Sequence, residues 1–178
     1  HWDHYSGVQS VLDSIAVEKI IFLDDVNLHD ISYLKLIKKI KDKGIDVVNH
    51  NIYDRLVLGD AVFYLLHPNS LYYSGNLNNM SFVYMLEYCD FRMLFTGDIE
   101  QEAEDEMLKL GDDLDVDVLK AAHHGSRTSS SEDFLAQVRP EISLVSVGEG
   151  NKFKHPNQES LDRLAAYGKV YRTDKNGA

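Results

Sequence analysis

The chain has 178 residues, of which 44% are hydrophobic and 26% charged. These values are typical of a globular protein that is large enough to bury a core. Its formal net charge of −11 argues against a general nucleic-acid-binding surface, because phosphate contacts need a basic face. A polyanionic substrate would therefore have to be held by local metal charge or by a basic module outside this sequence.

The sequence contains no apolar run near the roughly 20 residues that cross a bilayer, so we expect no membrane contact from this segment itself. It begins without Met, and both ends look truncated, so we leave open that it belongs to a membrane-attached or exported protein. The single cysteine, Cys89, allows no internal disulfide, which fits a reducing compartment or indifference to redox conditions.

The hydrophobic pattern of the first fifty residues predicts alternating helices and strands. Apolar residues have helical spacing over 7–15, a strand follows over 18–23, and a second helix ends near Gly44. A short strand is predicted over 46–49. This strand–helix–strand alternation is typical of a layered α/β domain.

Two hairpins and three strand–helix repeats are predicted for the rest of the chain. The predicted strands are 55–58, 61–66, 81–87, 92–96, 116–122, 142–147 and 170–172, and the predicted helices are 99–110, 131–138 and 157–167. No linker interrupts this order, so we predict a single domain over 1–178 that lacks its N-terminal part.

Residues with metal-binding side chains follow two of these strands. Gly97-Asp98 comes after one strand, and His123-His124 comes after the next. Because the carboxyl ends of neighbouring strands in an open α/β sheet converge on one crevice, we expect these side chains to meet. A carboxylate with imidazoles suits a divalent metal. The run His1-Trp2-Asp3-His4 adds three further ligand-type residues, although such runs also occur by chance at protein surfaces.

These motifs resemble those of the metallo-β-lactamase superfamily, and more narrowly the hydrolase domain of ComEC-type competence proteins. The resemblance covers HxDHxxG near the start, NNxS before a strand, TGD after it, HHGSxxS after the next strand and a later Asn-x-x-x-His-Pro. It implies an αββα sandwich with one or two metal ions at the sheet edge. The full first motif of the family is His-x-His-x-Asp-His, so its first His would precede this sequence.

Carried over by position, the resemblance implies a set of metal ligands. They are His1, Asp3, His4, the bridging Asp98 and His155. Asn78 stands where much of the superfamily has a ligating His, and an amide oxygen is a poorer ligand for zinc than imidazole is. The ions expected are zinc or manganese, and the site near Asn78 would be weak, absent or filled by a harder ion such as manganese.

The same motifs imply how a reaction would be catalysed. His124 would donate a proton to the leaving oxygen or a hydrogen bond to a phosphoryl oxygen, and Asp98 or Asp3 would orient a metal-bound hydroxide. His123 would support this site or contact substrate, and the alternative is that both histidines only support it through hydrogen bonds.

The serine-rich segment after the histidines is interpreted as a site for an anionic substrate. Ser126, Thr128 and Ser129 would form a pocket where a strand turns into a helix. Capping of that helix by Ser129 or Ser130 explains these residues equally well. The histidines His29, His50 and His67 are interpreted instead as solvated, capping or turn residues.

The function that follows is a metal-dependent hydrolase, first of all a phosphodiesterase or nuclease that acts on DNA or a nucleotide-like phosphoester. Two alternatives stay open. One is a hydrolase of another small ester such as phosphorylcholine, which the acidic composition favours slightly. The other is an inactive metal-binding module of a larger assembly.

Overall fold

The computed structural model describes residues 2–21, 31–69 and 75–177, apart from the side chains of Trp2 and Asp3. The chain groups by contacts into two compact units, His1–His50 and Asn51–Ala178. The prediction of one domain over 1–178 is not tested by this grouping and stays a prediction.

The first unit contains α1 Trp2–Tyr5, α2 Val8–Ser14, β1 Lys19–Ile21, α3 Ile31–Asp42 and β2 Asp46–Val48. The hydrophobic pattern predicts these elements except the short helix α1. β1 and β2 pair in parallel. Leu36 and Ile40, one helical turn apart on α3, are buried together with Leu12 and Ile45, because residues four apart share one face of a helix.

The second unit contains a sheet of seven strands among its described residues. The strands are β3 Arg55–Leu58, β4 Ala61–His67, β5 Val83–Tyr88, β6 Phe91–Phe95, β7 Val118–Lys120, β8 Ile142–Val145 and β9 Lys169–Arg172. The helices are α4 Gln101–Leu110, α5 Glu132–Val138, α6 Gln158–Ala165 and α7 Thr173–Asn176, with 3₁₀ turns at Leu77–Met80 and Ala122–Gly125.

The sheet has an antiparallel half and a parallel half. β3 to β6 pair antiparallel through hairpins and one longer connection. β6 to β9 pair in parallel, and parallel neighbours need crossover connections, which contain α4, α5 and α6. The carboxyl ends of β6, β7 and β8 therefore lie at one edge of the sheet, where the loops carrying Asp98, the histidine pair and His155 begin.

The core of this unit lies between the sheet and the crossover helices. Phe134, Leu94, Leu119 and Leu164 are fully buried, and each side chain of this size removed from water contributes about 1.5–3 kcal/mol. This arrangement confirms the predicted α/β class. Among the described residues, no helix combines the length and apolar composition needed to span a membrane.

Candidate active site

Asp98 is held in a tight turn directly after β6. Gly97 has φ +54°, and a Cβ at this position would lie 2.6 Å from the Cβ of Ser81, so only glycine fits. The Asp98 amide donates to Ser81 Oγ at 3.1 Å, and the Thr96 hydroxyl donates to the Lys120 carbonyl at 2.6 Å. These contacts fix a carboxylate whose residue is 3% exposed.

The two histidines after β7 both have a left-handed backbone. Their φ angles are +45° at His123 and +55° at His124, a conformation that costs about 1–2 kcal/mol for a residue with a side chain. The His123 amide donates to the Gly97 carbonyl at 3.2 Å, and Gly125 follows at φ +76° against Pro156. Such strain is maintained only where the surroundings fix it, and it concentrates at functional sites.

His124 faces Asp98 in the orientation that metal-binding histidines adopt. Its Nε2 lies 3.5 Å from Asp98 Oδ1, and its Nδ1 lies 2.7 Å from the Ser146 carbonyl oxygen. Because a carbonyl only accepts, Nδ1 carries the hydrogen, and Nε2 is the nitrogen turned towards Asp98. The facing carboxylate of Asp98 raises the pKa of His124, in opposition to burial. This geometry suits a metal ligand as well as the predicted proton donor.

His155 joins the histidine pair at the same edge. Its ring centroid lies 5.5 Å from that of His123, and the two rings of the pair are 6.3 Å apart. Burial, followed by the nearby His123 and His124, lowers the pKa of His155. A neutral imidazole is the form that binds a metal, so the environment favours the predicted role, which stays a prediction.

Asn78 contacts Glu100 and has a buried side-chain oxygen. Its side-chain nitrogen donates to Glu100 Oε1 at 2.8 Å, and a carboxylate only accepts, so the amide oxygen must face the other way. Within the part of the chain that the structure describes, this buried Oδ1 has no hydrogen bond. Buried polar atoms are normally satisfied. A buried carboxylate, imidazoles and an unsatisfied amide oxygen together fit a divalent ion.

Glu100 connects Asn78 to the histidine pair. Its Oε1 lies 3.3 Å from His123 Nδ1, and its amide donates to the side-chain oxygen of Asn79 at 2.7 Å. Burial would raise the pKa of Glu100, but hydrogen bonds from Asn78, Asn76 and Thr128 outweigh it, so the pKa is lowered overall. Glu100 is therefore a carboxylate that lies beside His123.

The hydroxyls of the serine-rich loop are mostly engaged within the protein. Ser129 is 1% exposed and donates to the Ile99 carbonyl at 2.8 Å. Ser126 is also buried, with its Oγ 3.0 Å from the hydroxyl of the exposed Thr128. The substrate-binding roles of these three residues and of His123 stay predictions, and exposure favours Thr128.

The helix after this loop is capped by a different serine from the two expected. The Ser131 hydroxyl accepts from the Phe134 amide at 3.3 Å, and α5 begins at Glu132. The expectation of a cap at Ser129 or Ser130 was wrong. The left-handed φ of +56° at Ser130 reverses the chain just before the helix, so the cap moves to the next residue.

Two charged residues hold the backbone of this loop. The Glu104 carboxylate accepts from the amides of Ser130 at 2.6 Å and Ser131 at 2.9 Å. The Arg163 guanidinium donates to the carbonyls of Ser129 and Ser130, both at 2.8 Å. Burial raises the pKa of Glu104, while the amides of Ser131 and Ser130 oppose this shift.

The remaining predicted ligands belong to the first unit. His1 and the side chain of Asp3 lie outside the described residues. His4 lies on α1 with an exposed side chain. Their predicted roles as ligands, and that of Asp3 in catalysis, stay predictions.

Sequence reasoning missed Glu100 and Lys120. The Lys120 ammonium donates to the carbonyls of Gly97 at 3.0 Å and Ala121 at 3.2 Å, and burial lowers its pKa, although Asp98 acts in the opposite direction. A charged residue within an apolar strand was the available signal, because buried charges are rare unless they are paired. Glu100 gave the weaker signal of a second carboxylate two residues after Asp98.

The chain is similar to known proteins in family, in sequence and in structure. The model of the metallo-beta-lactamase superfamily matches residues 1–149. The chain is 33% identical over 144 residues to ComE operon protein 3 of Bacillus subtilis (strain 168), covering 80% of the chain and 18% of that protein. It is 43% identical over 88 residues to Competence protein ComA of Neisseria gonorrhoeae, covering 48% of the chain and 13% of that protein.

Among solved structures, the metallo-beta-lactamase fold protein YhfI from Bacillus subtilis matches with a TM-score of 0.56 and 11% identity, covering 97% of the chain and 70% of that structure. This match confirms the expected fold. The chain spans less than a fifth of the length of the two curated relatives.

Proposed function

The chain belongs to the metallo-beta-lactamase superfamily and is related to ComEC-type competence proteins, and from this premise we propose that it is a metal-dependent phosphodiesterase. Its substrate would be DNA or a nucleotide-like phosphoester. One of the two curated relatives is named Competence protein ComA, which makes DNA the first substrate to test.

The observation that carries the proposal is the meeting of Asp98 and His124, 3.5 Å apart, at the carboxyl ends of adjacent parallel strands. A buried carboxylate opposite a histidine whose second nitrogen is held by a carbonyl is an arrangement suited to a metal. The unsatisfied Asn78 oxygen adds a hard donor, which favours an ion such as manganese over a purely nitrogen-bound zinc.

Asp98, His124 and His155 are the residues of this unit that would hold the metal. A divalent ion bound there lowers the pKa of water to about 7 and so supplies a nucleophile at neutral pH. The chain's own groups would orient the ester. Imidazole and hydroxyl donors, such as the hydroxyl of Thr128, suit the negative oxygens of a phosphoryl group better than a neutral amide does.

The test uses protein prepared with manganese or with zinc. Bis-p-nitrophenyl phosphate and single-stranded DNA are the substrates, and His124→Ala is the variant. We expect cleavage of both substrates and a fall in kcat of at least about 100-fold in the variant, since His124→Ala removes either a metal ligand or a positioned proton donor, and loss of a proton donor alone accounts for that factor. His50→Ala, in the first unit, is the matched control. The proposal fails if neither substrate is cleaved and the variant behaves as the wild type does.

The same assay separates the alternatives. Turnover of a phosphorylcholine ester without cleavage of DNA would select the small-ester hydrolase. Tight metal binding by elemental analysis, without turnover on a broad panel of esters, would select the inactive metal-binding module.

A further inference from the structure

The loop that follows β8 and ends at His155 has an ordered internal structure. The Asn151 side chain donates to the carbonyls of Gly148 at 3.1 Å and His155 at 2.7 Å. Its oxygen accepts from the His155 amide at 3.0 Å. One asparagine therefore closes residues 148–155 into a compact loop, which is named here the Asn151 loop.

This loop is fixed to the histidine motif at its far end. A Cβ added at Gly125 would lie 2.6 Å from the Cβ of Pro156, and the Asn157 amide donates to the Gly125 carbonyl at 2.8 Å. The Asn151 loop is thus a preformed neighbour of the His123–His124 pair.

An aromatic ring projects from the tip of this loop beside the site. Phe153 is 65% exposed, and its ring is nearly parallel to that of His155, with an interplanar angle of 16° and centroids 6.0 Å apart. Burial in a core does not explain this position. A planar exposed ring within a few ångströms of a candidate ligand offers a stacking surface next to the reacting group.

Positive charge flanks the ring on both sides in sequence. Lys152 and Lys154 are exposed, and the ammonium of Lys152 lies 5.0 Å from the centroid of the Phe153 ring. Glu149 is the acidic residue in the loop, which leaves it with a net charge of +1 in a chain whose net charge is −11. The loop is therefore a positively charged segment in an acidic chain.

We propose that the Asn151 loop is the contact by which the site recognises a single-stranded nucleic acid, with Phe153 stacking on a base and Lys152 and Lys154 holding the adjacent phosphates. This inference rests on the proposed phosphodiesterase function and deepens it, because it separates a base-bearing strand from a bare phosphodiester. Alternating aromatic and basic side chains are the usual means of binding single strands without sequence preference.

The energies of the two competing contacts allow the base to bind. Stacking of a base on an aromatic side chain is a stronger interaction than an exposed cation–π contact such as that of Lys152 with Phe153. A base therefore displaces or shares the lysine, whose ammonium is then available to a phosphate oxygen.

The test compares two ligands of equal length and charge by fluorescence anisotropy in EDTA, where no cleavage occurs. One is a fluorescein-labelled 12-mer of thymidylate, and the other is a 12-mer in which every base is missing. Phe153→Ala should raise the Kd for the thymidylate strand about 5- to 150-fold, the equivalent of the stacking energy, and leave the Kd for the abasic strand unchanged. Phe153→Trp should restore or improve binding.

The lysines should act differently from the ring. Lys152→Ala and Lys154→Ala should weaken binding of both strands, and each should reduce the slope of log Kd against log salt by about 0.7. The control is Phe91→Ala, which removes a partly exposed phenylalanine (38%) at the start of β6, the end opposite Asp98, and should change neither Kd. Circular dichroism checks that each variant is folded.

The inference is overturned if Phe153→Ala changes the two Kd values equally or changes neither. Its failure differs from failure of the proposed function. Cleavage of bis-p-nitrophenyl phosphate by a wild type that binds both strands equally would remove the stacking contact and keep the phosphodiesterase. Phe153-dependent preference for the thymidylate strand in a protein without turnover would support the contact and remove the phosphodiesterase.

Discussion

The loop after β7 and the loop after β8 leave the same edge of the sheet but use their polar groups in opposite ways. In the first loop, the backbone of Ser129–Ser131 is bound by Glu104 and Arg163 from two different helices. In the second, the side chain of Asn151 closes the loop from within, and its lysines and Phe153 face solvent.

The difference indicates a division of roles between chemistry and recognition. A group that acts on a reacting atom must be held within a fraction of an ångström, which requires neighbours that fix its backbone. A group that recognises a flexible strand gains from exposure and tolerates movement. The first loop meets the first requirement, and the second loop meets the second.

The largest effect on catalysis is expected at Asp98, which follows β6 and faces His124 of the first loop. Asp98→Asn keeps the size of the side chain but removes its charge, so metal binding should weaken strongly and kcat should fall about 10³-fold, the equivalent of several kcal/mol of lost charge stabilisation. Titration calorimetry with manganese and zinc measures the first effect, and steady-state kinetics measures the second. Asp105→Asn, on the exposed side of α4, is the control and should change neither.

Sequence reasoning located Asp98 and the histidine pair because strand patterns and ligand-type residues are local signals. It placed the α/β elements of both halves of the sheet for the same reason. It did not identify which serine caps α5, because three consecutive serines are equivalent until Ser130 takes a left-handed backbone. Glu100 was missed because its role depends on Asn78 and His123, which are brought together only by the fold.

The next largest effect tests the contact between Gly125, which follows the histidine pair, and Pro156, which follows the Asn151 loop. Gly125 and Gly150 both have positive φ, but a Cβ meets Pro156 at 2.6 Å only at Gly125, and at Gly150 nothing lies within 4 Å. Gly150→Ala should cost about 1–2 kcal/mol from backbone strain alone, and Gly125→Ala should cost about 1–3 kcal/mol more from overpacking. Urea unfolding measures both. Equal midpoints for the two variants would mean that Gly125 and Pro156 are not closely packed. If they are closely packed, Pro156→Gly should restore part of the stability that Gly125→Ala removes.

A smaller effect is expected at Arg163, which binds the backbone of the loop after β7. Arg163→Lys replaces a planar fork that donates to the carbonyls of Ser129 and Ser130 with a single ammonium, so the free energy of unfolding should fall by about 2 kcal/mol. Arg139→Lys, in an exposed pair with Asp115, should leave the urea midpoint unchanged. If both substitutions are neutral, Arg163 does not hold the loop.

The smallest effect is a pH dependence of the free energy of unfolding that arises from His67. His67 is 2% exposed, and its Nε2 lies 2.7 Å from the Asn79 carbonyl oxygen, so this nitrogen donates. The side-chain oxygen of Asn79 in turn accepts from the amide of Glu100, whose carboxylate lies 3.3 Å from His123 Nδ1. Burial lowers the pKa of His67 below its usual 6.5, in opposition to the bond with Asn79.

The sign of the effect follows from that direction. Because the folded pKa is lower than the unfolded one, the unfolded state binds more protons between the two values. The contribution of neutral His67 to stability is therefore complete above pH 6.5 and is lost as the pH falls through the folded pKa. His67→Gln keeps a donor to Asn79 without this titration, so the urea midpoint of the wild type should fall relative to that of the variant as the pH is lowered from 7 to 5.5. Midpoints that run parallel over this range would show that His67 is not the buried neutral donor that supports the first loop.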